Sequence, residues 1–384
     1  MAQQLPRLVI APGKDATMRY ATRLAAPDPF LLLDDGKRRH VLVSRLEYGL
    51  ARKILAKSPK HKVVLFDPYY DAVKRELAKR GEKGKVRRRH VLALIAAMYL
   101  REKKIRKVVM PPNAWAAHVE TLREHGIHVE LGTKRFYPER AVKTARELKE
   151  IIAVGRATVA ALDCCMKILR SSRPNAKGEL VYRGARVTSE SLKRAARHVL
   201  LERECEAPEL ILSHGLQTRF PHELGSGAIK AGEPVLFDFF AKSMTSGYWF
   251  DMSRTVVVGK PSNEYRRLWR AVKEAQDAAL RKIRPGTRCG ALNQAIDDVF
   301  KKRRYATTDE EGFLHSAGHG LGLEIHEAPT VGNGSKDVLK AGMVITIEPG
   351  LYYKKIGGAR LENTLFVTKN GYRDLTRYPR RMTP

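Results

Sequence analysis

Four carboxylates and one imidazole in the second half of the chain stand in segments built otherwise from apolar side chains. They are Asp238 in VLFDFFA, Asp251 in YWFDMSRTVVVG, Glu348 in MVITIEPGLYY, Glu362 in ARLENTLFV and His319 in HSAGHGLGLEIHE. An ionised group in such a segment is costly to bury alone, so something cationic is expected against it. The glycines around His319 let the backbone come close to whatever the imidazole contacts. One imidazole and four carboxylates form a hard, oxygen-rich donor set, enough for two divalent ions sharing bridging carboxylates, an arrangement suited to hydrolysis.

The rest of the chain frames that set. Its 384 residues suit two domains, each with its own core. The excess of 72 basic over 41 acidic residues leaves a net charge of +31, densest between Lys74 and Lys107. Such a charge attracts polyanions at low salt. The arginine run Arg87, Arg88, Arg89 has no aromatic interleaving, so nucleic acid is expected to bind only non-specifically. Cys164, Cys165, Cys205 and Cys289 make no CxxC pattern, which fits a reducing compartment. The N-terminal stretch MAQQLPRLVIAPGKD has no long apolar run, and Val91 to Leu100 reaches only half of the ~20 residues of a membrane span. A soluble, cytoplasmic protein is expected.

Residues 1–136 alternate β-forming runs (PFLLLD, RHVLVS, HKVVLFD, KVVM, HVELG) with helical stretches at Leu46 to Ala56, Tyr70 to Lys79 and Val91 to Glu102, the pattern of an α/β domain. From Tyr137 the texture changes. Ala141 to Leu169 carries the apolar stripe of a long amphipathic helix, and a second helix follows in SESLKRAARHVLLERE, capped by Thr188 or Ser189. The spacing predicts a strand in PELILSHG, two long strands joined by a turn at Ser246 and Gly247, helices over Ser262 to Ile283 and Gly290 to Arg303, and final strands carrying Glu348 and Glu362. Residues 137–384 thus read as α+β, with helices packed on an antiparallel sheet.

Taken together, LFDFFA, FDMSRT, GHGLGLEIHE, IEPG and RLEN resemble the pita-bread metallopeptidase family of aminopeptidase P, prolidase and methionine aminopeptidase, whose metal-ligand positions they match in order. The resemblance implies two divalent ions, manganese first and cobalt, zinc or iron as alternatives. Asp238 would hold one, His319 and Glu348 the other, and Asp251 and Glu362 would bridge both, with a hydroxide between the ions aimed at a peptide carbonyl. Glu348 would also take and return a proton, His222 contact the substrate, His326 stabilise the tetrahedral intermediate and His315 order the pocket. Arg360, two positions before Glu362, reads as facing the same side of one strand and so as lying beside that carboxylate. This R-x-E pairing resembles the proline-specific branch. So does MRYATRLAAPDPFLLLDDGKRRHVLVSRLEY, which is similar to the N-terminal domain shared by creatinase and prolidase. A homodimeric peptidase acting on peptides with proline at the second position is implied.

Four departures from the family pattern matter. The stretch from Asp238 to Asp251 is longer than usual by an even number of positions, an insertion that keeps both aspartates on one face of a hairpin. Phe240 replaces a glycine, and Asn363 an aspartate. Between His326 and Gly342 there is no arginine of the kind prolidases use to hold a dipeptide's carboxylate, which favours an aminopeptidase on longer peptides, with an Xaa-Pro dipeptidase as the alternative. A non-catalytic pita-bread protein binding nucleic acid or ribosomes is a third reading, disfavoured because all five ligand positions are filled. Among bland readings, Asp238 and Asp251 would pair with Arg254 or Lys242, and His214 competes with His222.

Overall fold

The computed structural model describes residues 5–79, 88–132 and 136–384, and for residues 88–90 the backbone only. Arg87 and the side chains of Arg88 and Arg89 therefore lie outside the described residues. The chain divides into two compact units, Met1–Pro138 and Glu139–Pro384.

In the first unit, β1 (Arg7–Ala11), β2 (Phe30–Asp34), β3 (Arg39–Val43), β4 (His61–Leu65), β5 (Lys107–Met110) and β6 (His128–Leu131) form a six-stranded sheet in the order β4-β3-β2-β1-β5-β6. The pairings β1–β2 and β2–β3 are antiparallel, the other three parallel. The helices are α1 (Ala16–Thr22), α2 (Arg45–Leu55), α3 (Asp67–Lys79), α4 (Arg88–Glu102) and α5 (Ala116–Glu124). The continuous apolar run of β2 reflects cover on both faces. Leu31 and Leu33 enter one core with Ala93, Ile95 and Leu122, while Phe30 and Leu32 enter another with Met18, Ala51 and Leu55. Phe136 and Tyr137 belong to that second core.

In the second unit the long helix α6 (Ala145–Ser171) starts later than the apolar stripe from Ala141 suggests. Pro138–Ala141 is a short 3₁₀ turn, and Thr144 and Glu147 close a reciprocal capping box that fixes the start of α6. A small ribbon of β7 (Arg173–Pro174), β8 (Leu180–Tyr182) and β9 (Ala185–Arg186) precedes α7 (Ser189–Leu201), which Thr188 caps. The strands β10 (Cys205–Glu206), β11 (Ile211–His214), β12 (Pro234–Ser243) and β13 (Trp249–Val257) form one antiparallel sheet. The helices α8 (Asn263–Leu280) and α9 (Cys289–Lys302) follow. A second sheet joins β14 (Gly318–Gly320), β15 (Glu327–Val331), β16 (Val344–Ile347), β19 (Asn363–Val367) and β20 (Tyr372–Asp374), and β17 (Gly350–Tyr353) pairs with β18 (Gly357–Arg360). All these pairings are antiparallel.

The period of two on β12 and β13 separates core from chemistry. Phe237, Phe239, Phe250 and Met252 pack with Ile151 and Val154 of α6. Gly155 brings α6 so close that a Cβ there would lie 2.5 Å from the Phe250 ring. Asp238 is paired with Ser253 and Phe240 with Asp251. Directly opposed residues share a face, so both aspartates point away from that core despite the longer turn.

Glu348 and Glu362 do not sit within strands. Glu348 follows β16 and precedes Pro349, which has no N–H to continue a ladder, and Leu361–Glu362 is the crossing between the sheets of β18 and β19. Arg360 and Glu362 therefore do not share a strand face: the chain changes sheet between them, and the guanidinium turns to Asp238 instead.

Candidate metal centre

Asp251, His319 and Glu362 each bring one donor atom into a group in which all lie within 4.8 Å of one another. His319 Nδ1 is 3.0 Å from the Gly320 carbonyl. It therefore carries the proton and donates there, leaving the Nε2 lone pair for the site. That Nε2 is 3.4 Å from Glu348 Oε1 and 3.8 Å from Asp251 Oδ2. The flanking glycines are needed for close approach: a Cβ at Gly318 would lie 2.1 Å from the Thr346 carbonyl, and one at Gly320 2.1 Å from that of Ala328. Thr346 Oγ1 accepts from His319 N–H at 3.1 Å and sits 3.3 Å from Glu348 Oε1, linking the two.

Asp238 stands outside the trio, with both oxygens engaged. Arg360 Nη2 is 2.5 Å from its Oδ2, and the Ser253 hydroxyl is 2.8 Å from its Oδ1. The same hydroxyl lies 2.8 Å from Glu362 Oε2 and accepts from Arg360 Nε at 3.0 Å, so its single proton serves one carboxylate at a time. Arg254 and Lys242 do not compensate the aspartates. Arg254 faces the other way and donates to the carbonyls of Ser253, Glu362, Tyr378 and Pro379, while the Lys242 ammonium lies over Trp249.

Four carboxylates against the one guanidinium of Arg360 leave an anionic excess in a site where Glu362 is 2 % and Asp251 5 % exposed. Asp251 Oδ1 and Glu362 Oε1 are buried without any hydrogen-bond partner. Buried polar atoms are normally satisfied, and unpaired carboxylate oxygens beside an imidazole lone pair are what a divalent cation would complete. Without that cation, burial and the neighbouring carboxylates push Asp251 and Glu362 well above the usual carboxylate range. Burial likewise raises Glu348 to about 8. His319 is pushed down to about 4, by burial first and His326 second. The donor set therefore fits divalent metal.

The other predicted residues surround this group. His326 packs edge-on against His319, their ring centroids 4.3 Å apart, and burial lowers its pKa. His315 Nδ1 donates to the Ser316 carbonyl at 2.8 Å. With the proton there, its Nε2 is left to accept. It does so from the Tyr352 hydroxyl at 2.8 Å. Tyr352 Oη in turn accepts from Arg360 Nη1 at 2.7 Å. Burial holds His315 neutral, with a pKa of about 3. His222 lines an open cleft with Phe220, Pro221, Glu223, Leu314 and His315. His214 instead contacts the Ser226 carbonyl at 3.0 Å and Glu233 at 3.5 Å. Phe240 packs against a small cluster of Ile211, Leu236 and Tyr352. Asn363 donates to Asp374 at 2.6 Å and lies 3.3 Å from Gln276 Nε2, which also donates to the carbonyls of Ile347 and Leu361, the residues just before Glu348 and Glu362.

Sequence reasoning missed Ser253 and Tyr352. Ser253 was within reach, because it lies two positions beyond Asp251 on the same strand face. Tyr352, in the apolar run GLYY, carried no signal.

The model of metallopeptidase family M24 matches residues 149–369 of this chain. The Xaa-Pro dipeptidase of Pyrococcus furiosus is 38% identical over 180 residues, covering 47% of this chain and 50% of the relative. That of Lactobacillus helveticus is 37% identical over 173 residues, covering 44% and 45%. The chain thus spans about half the length of the curated relatives it matches. Among solved structures, the prolidase from Pyrococcus furiosus superimposes with a TM-score of 0.76 at 25% identity, over 98% of this chain and 97% of that one. The X-Pro aminopeptidase from Thermotoga maritima gives 0.74 at 19% identity, over 98% and 95%, a likeness of fold.

Proposed function

The chain belongs to metallopeptidase family M24, and from that premise we propose that it hydrolyses the bond before proline in peptides with proline at the second position. One observation carries the reading: buried oxygens of Asp251 and Glu362 lacking any partner, beside the free Nε2 of His319. The substrate class is supported by the relatives named Xaa-Pro dipeptidase.

A pair of divalent ions held by Asp238, Asp251, His319, Glu348 and Glu362 would supply Lewis-acid charge and acidify water near neutral pH. The oxygen-rich ligands suit manganese, with cobalt, zinc or iron as substitutes. The protein's own groups do the rest. Arg360 and Ser253 fix the carboxylate of Asp238, and the Gly320 carbonyl fixes the tautomer of His319. Glu348 Oε1 takes a proton from the attacking water and returns it to the proline nitrogen as the C–N bond breaks. His326, packed on His319, is placed to donate to the carbonyl oxygen as charge develops there. His222, in the open cleft, contacts the peptide. Arg360, Tyr352 and His315 form one chain of hydrogen bonds that links the cleft wall to the metal residues. The family resemblance and four free cysteines extend the proposal to a homodimer in a reducing cytoplasm.

The test is hydrolysis by manganese-loaded protein of Xaa-Pro and Xaa-Pro-Yaa peptides beside a Met-Ala-Yaa control. Cleavage before proline with the control intact supports the reading. Cleavage of the control alone overturns it.

A further inference from the structure

His326 is the last residue of the loop, residues 321–326, that carries the chain from β14 to β15. Its ring is exposed, its contact with His319 is edge-on, and among the described residues it makes no hydrogen bond. A side chain with no polar partner of its own takes its aim from its backbone, so whatever fixes the loop fixes the ring.

The near end of the loop is tied by main-chain bonds. Leu321 N–H donates to the Val344 carbonyl at 3.2 Å, and the Gly322 carbonyl accepts from Trp249 N–H at 2.8 Å. The far end is held by charge. Arg140 Nη2 donates to Glu324 Oε2 at 2.8 Å and to Glu327 Oε2 at 2.6 Å, closing a bracket around Ile325 and His326. Lys143 Nζ takes the other oxygen of Glu327 at 2.6 Å, and also donates to the carbonyls of Arg140 and Ala141 at 2.7 and 3.3 Å. The side chains of Lys143, Glu327 and Arg140 are 1%, 7% and 13% exposed, so salt and water screen these contacts little. A Cβ at Gly322 would lie 2.1 Å from Glu327 Oε1, so glycine leaves the carboxylate its place.

The bracket has a fixed footing. Val142 forms an antiparallel bridge with Met343, and Lys143 N–H donates to the Gly342 carbonyl at 2.8 Å, just before β16, the strand that leads to Glu348. Two cations meet two carboxylates here, so the group contributes position and no net charge.

We propose that Arg140 is a positioning residue: by tying Glu324 to Glu327 it keeps His326 aimed at the carbonyl oxygen on which charge develops. The proposal rests on the Xaa-Pro reading and on the role of His326 within it, and deepens both.

The experiment measures kcat and KM on the Xaa-Pro peptide that the manganese-loaded wild type cleaves best, in Arg140→Met, Arg140→Lys, His326→Ala and the double variant of Arg140→Met with His326→Ala. Tm and the Mn²⁺ activation midpoint are recorded for each. Arg140→Met leaves Glu327 paired with Lys143, so no buried carboxylate is orphaned. Its kcat should fall about tenfold or more with KM and the Mn²⁺ midpoint nearly unchanged, because the group it aims acts on the transition state. Arg140→Lys, which keeps the charge, should recover part of the loss. If Arg140 acts through His326, the double variant is no slower than His326→Ala alone. Additive losses, a wild-type kcat in Arg140→Met, or a loss that follows a weakened Mn²⁺ response overturn the positioning role and leave the Xaa-Pro reading intact. Undiminished kcat in His326→Ala overturns the role of His326 and this proposal with it. A loaded wild type that cleaves no Xaa-Pro peptide overturns the reading beneath both.

Discussion

Arg360 Nη2 lies 2.5 Å from Asp238 Oδ2, joining the last residue of β18 to the middle of β12. Both side chains are largely buried, and the same guanidinium holds Ser253 and Tyr352. One side chain thus aligns an aspartate of the metal centre and, through Tyr352, the neutral His315 of the cleft.

Replacing Arg360 should therefore damage two places at once. Arg360→Met is expected to lower metal affinity or activity about 10- to 100-fold, the usual effect of losing a group that orients a ligand. Tyr352→Phe removes the hydroxyl that joins Arg360 to His315 but leaves the Arg360–Asp238 pair, and should cost less. Activity titrated with Mn²⁺ in each variant separates the two effects, and equal losses would speak against the arrangement.

Glu362→Gln should act oppositely on the two forms of the protein. In the metal-free form it removes one of several mutually repelling buried carboxylates, so Tm should rise, by roughly 2–4 °C per kcal/mol relieved. With Mn²⁺ the ligand is lost, and the thermal shift seen in the wild type should shrink or vanish. Calorimetry with and without metal reads both signs.

The metal-free protein should lose stability as pH rises from about 6.5 to 8. Glu348 is raised to about 8, so the folded state keeps a proton that the unfolded chain gives up from about 4.5 upward, and that contribution fades as pH climbs through this window. The depressed values of His315, about 3, and His319, about 4, act in the opposite sense, but only below about 6.5, where the unfolded chain begins to protonate. Tm measured across this range in chelator should fall, and Glu348→Gln should flatten the curve. Added Mn²⁺ should stabilise more at the higher pH, because ligands bind metal deprotonated.

Gly320→Ala places a methyl group 2.1 Å from the Ala328 carbonyl, a contact only backbone movement can relieve. Because His319 is the preceding residue, the variant should lose several degrees of Tm together with metal-dependent activity. A normal Mn²⁺ response would show that His319 does not depend on this close packing.

The metal residues were legible because ionisable side chains within apolar strand segments demand a partner, and because β12 and β13 obey a period of two. Residues at breaks between strands were less so. Glu348 and Glu362 read as strand residues, yet each sits at a break in the strands, and no local pattern tells where a crossing falls. For the same reason Arg360 was placed beside Glu362 rather than Asp238. RLVIA, between Pro6 and Pro12, is too short an apolar run to read as a strand from its pattern alone, although β1 joins the two halves of the first sheet. Tyr352 was invisible because its role depends on Arg360 and His315 meeting in space.

Whether Asp251, His319 and Glu362 belong to a metal site that hydrolyses Xaa-Pro bonds can be read from a single titration. Metal-depleted protein, wild type and Glu362→Gln, is titrated with Mn²⁺ while proline release from an Xaa-Pro dipeptide is followed. No release is expected without metal, release should saturate as about two ions bind per chain, and the variant should release none. Release by the fully chelated protein, or full activity in Glu362→Gln, would refute the assignment.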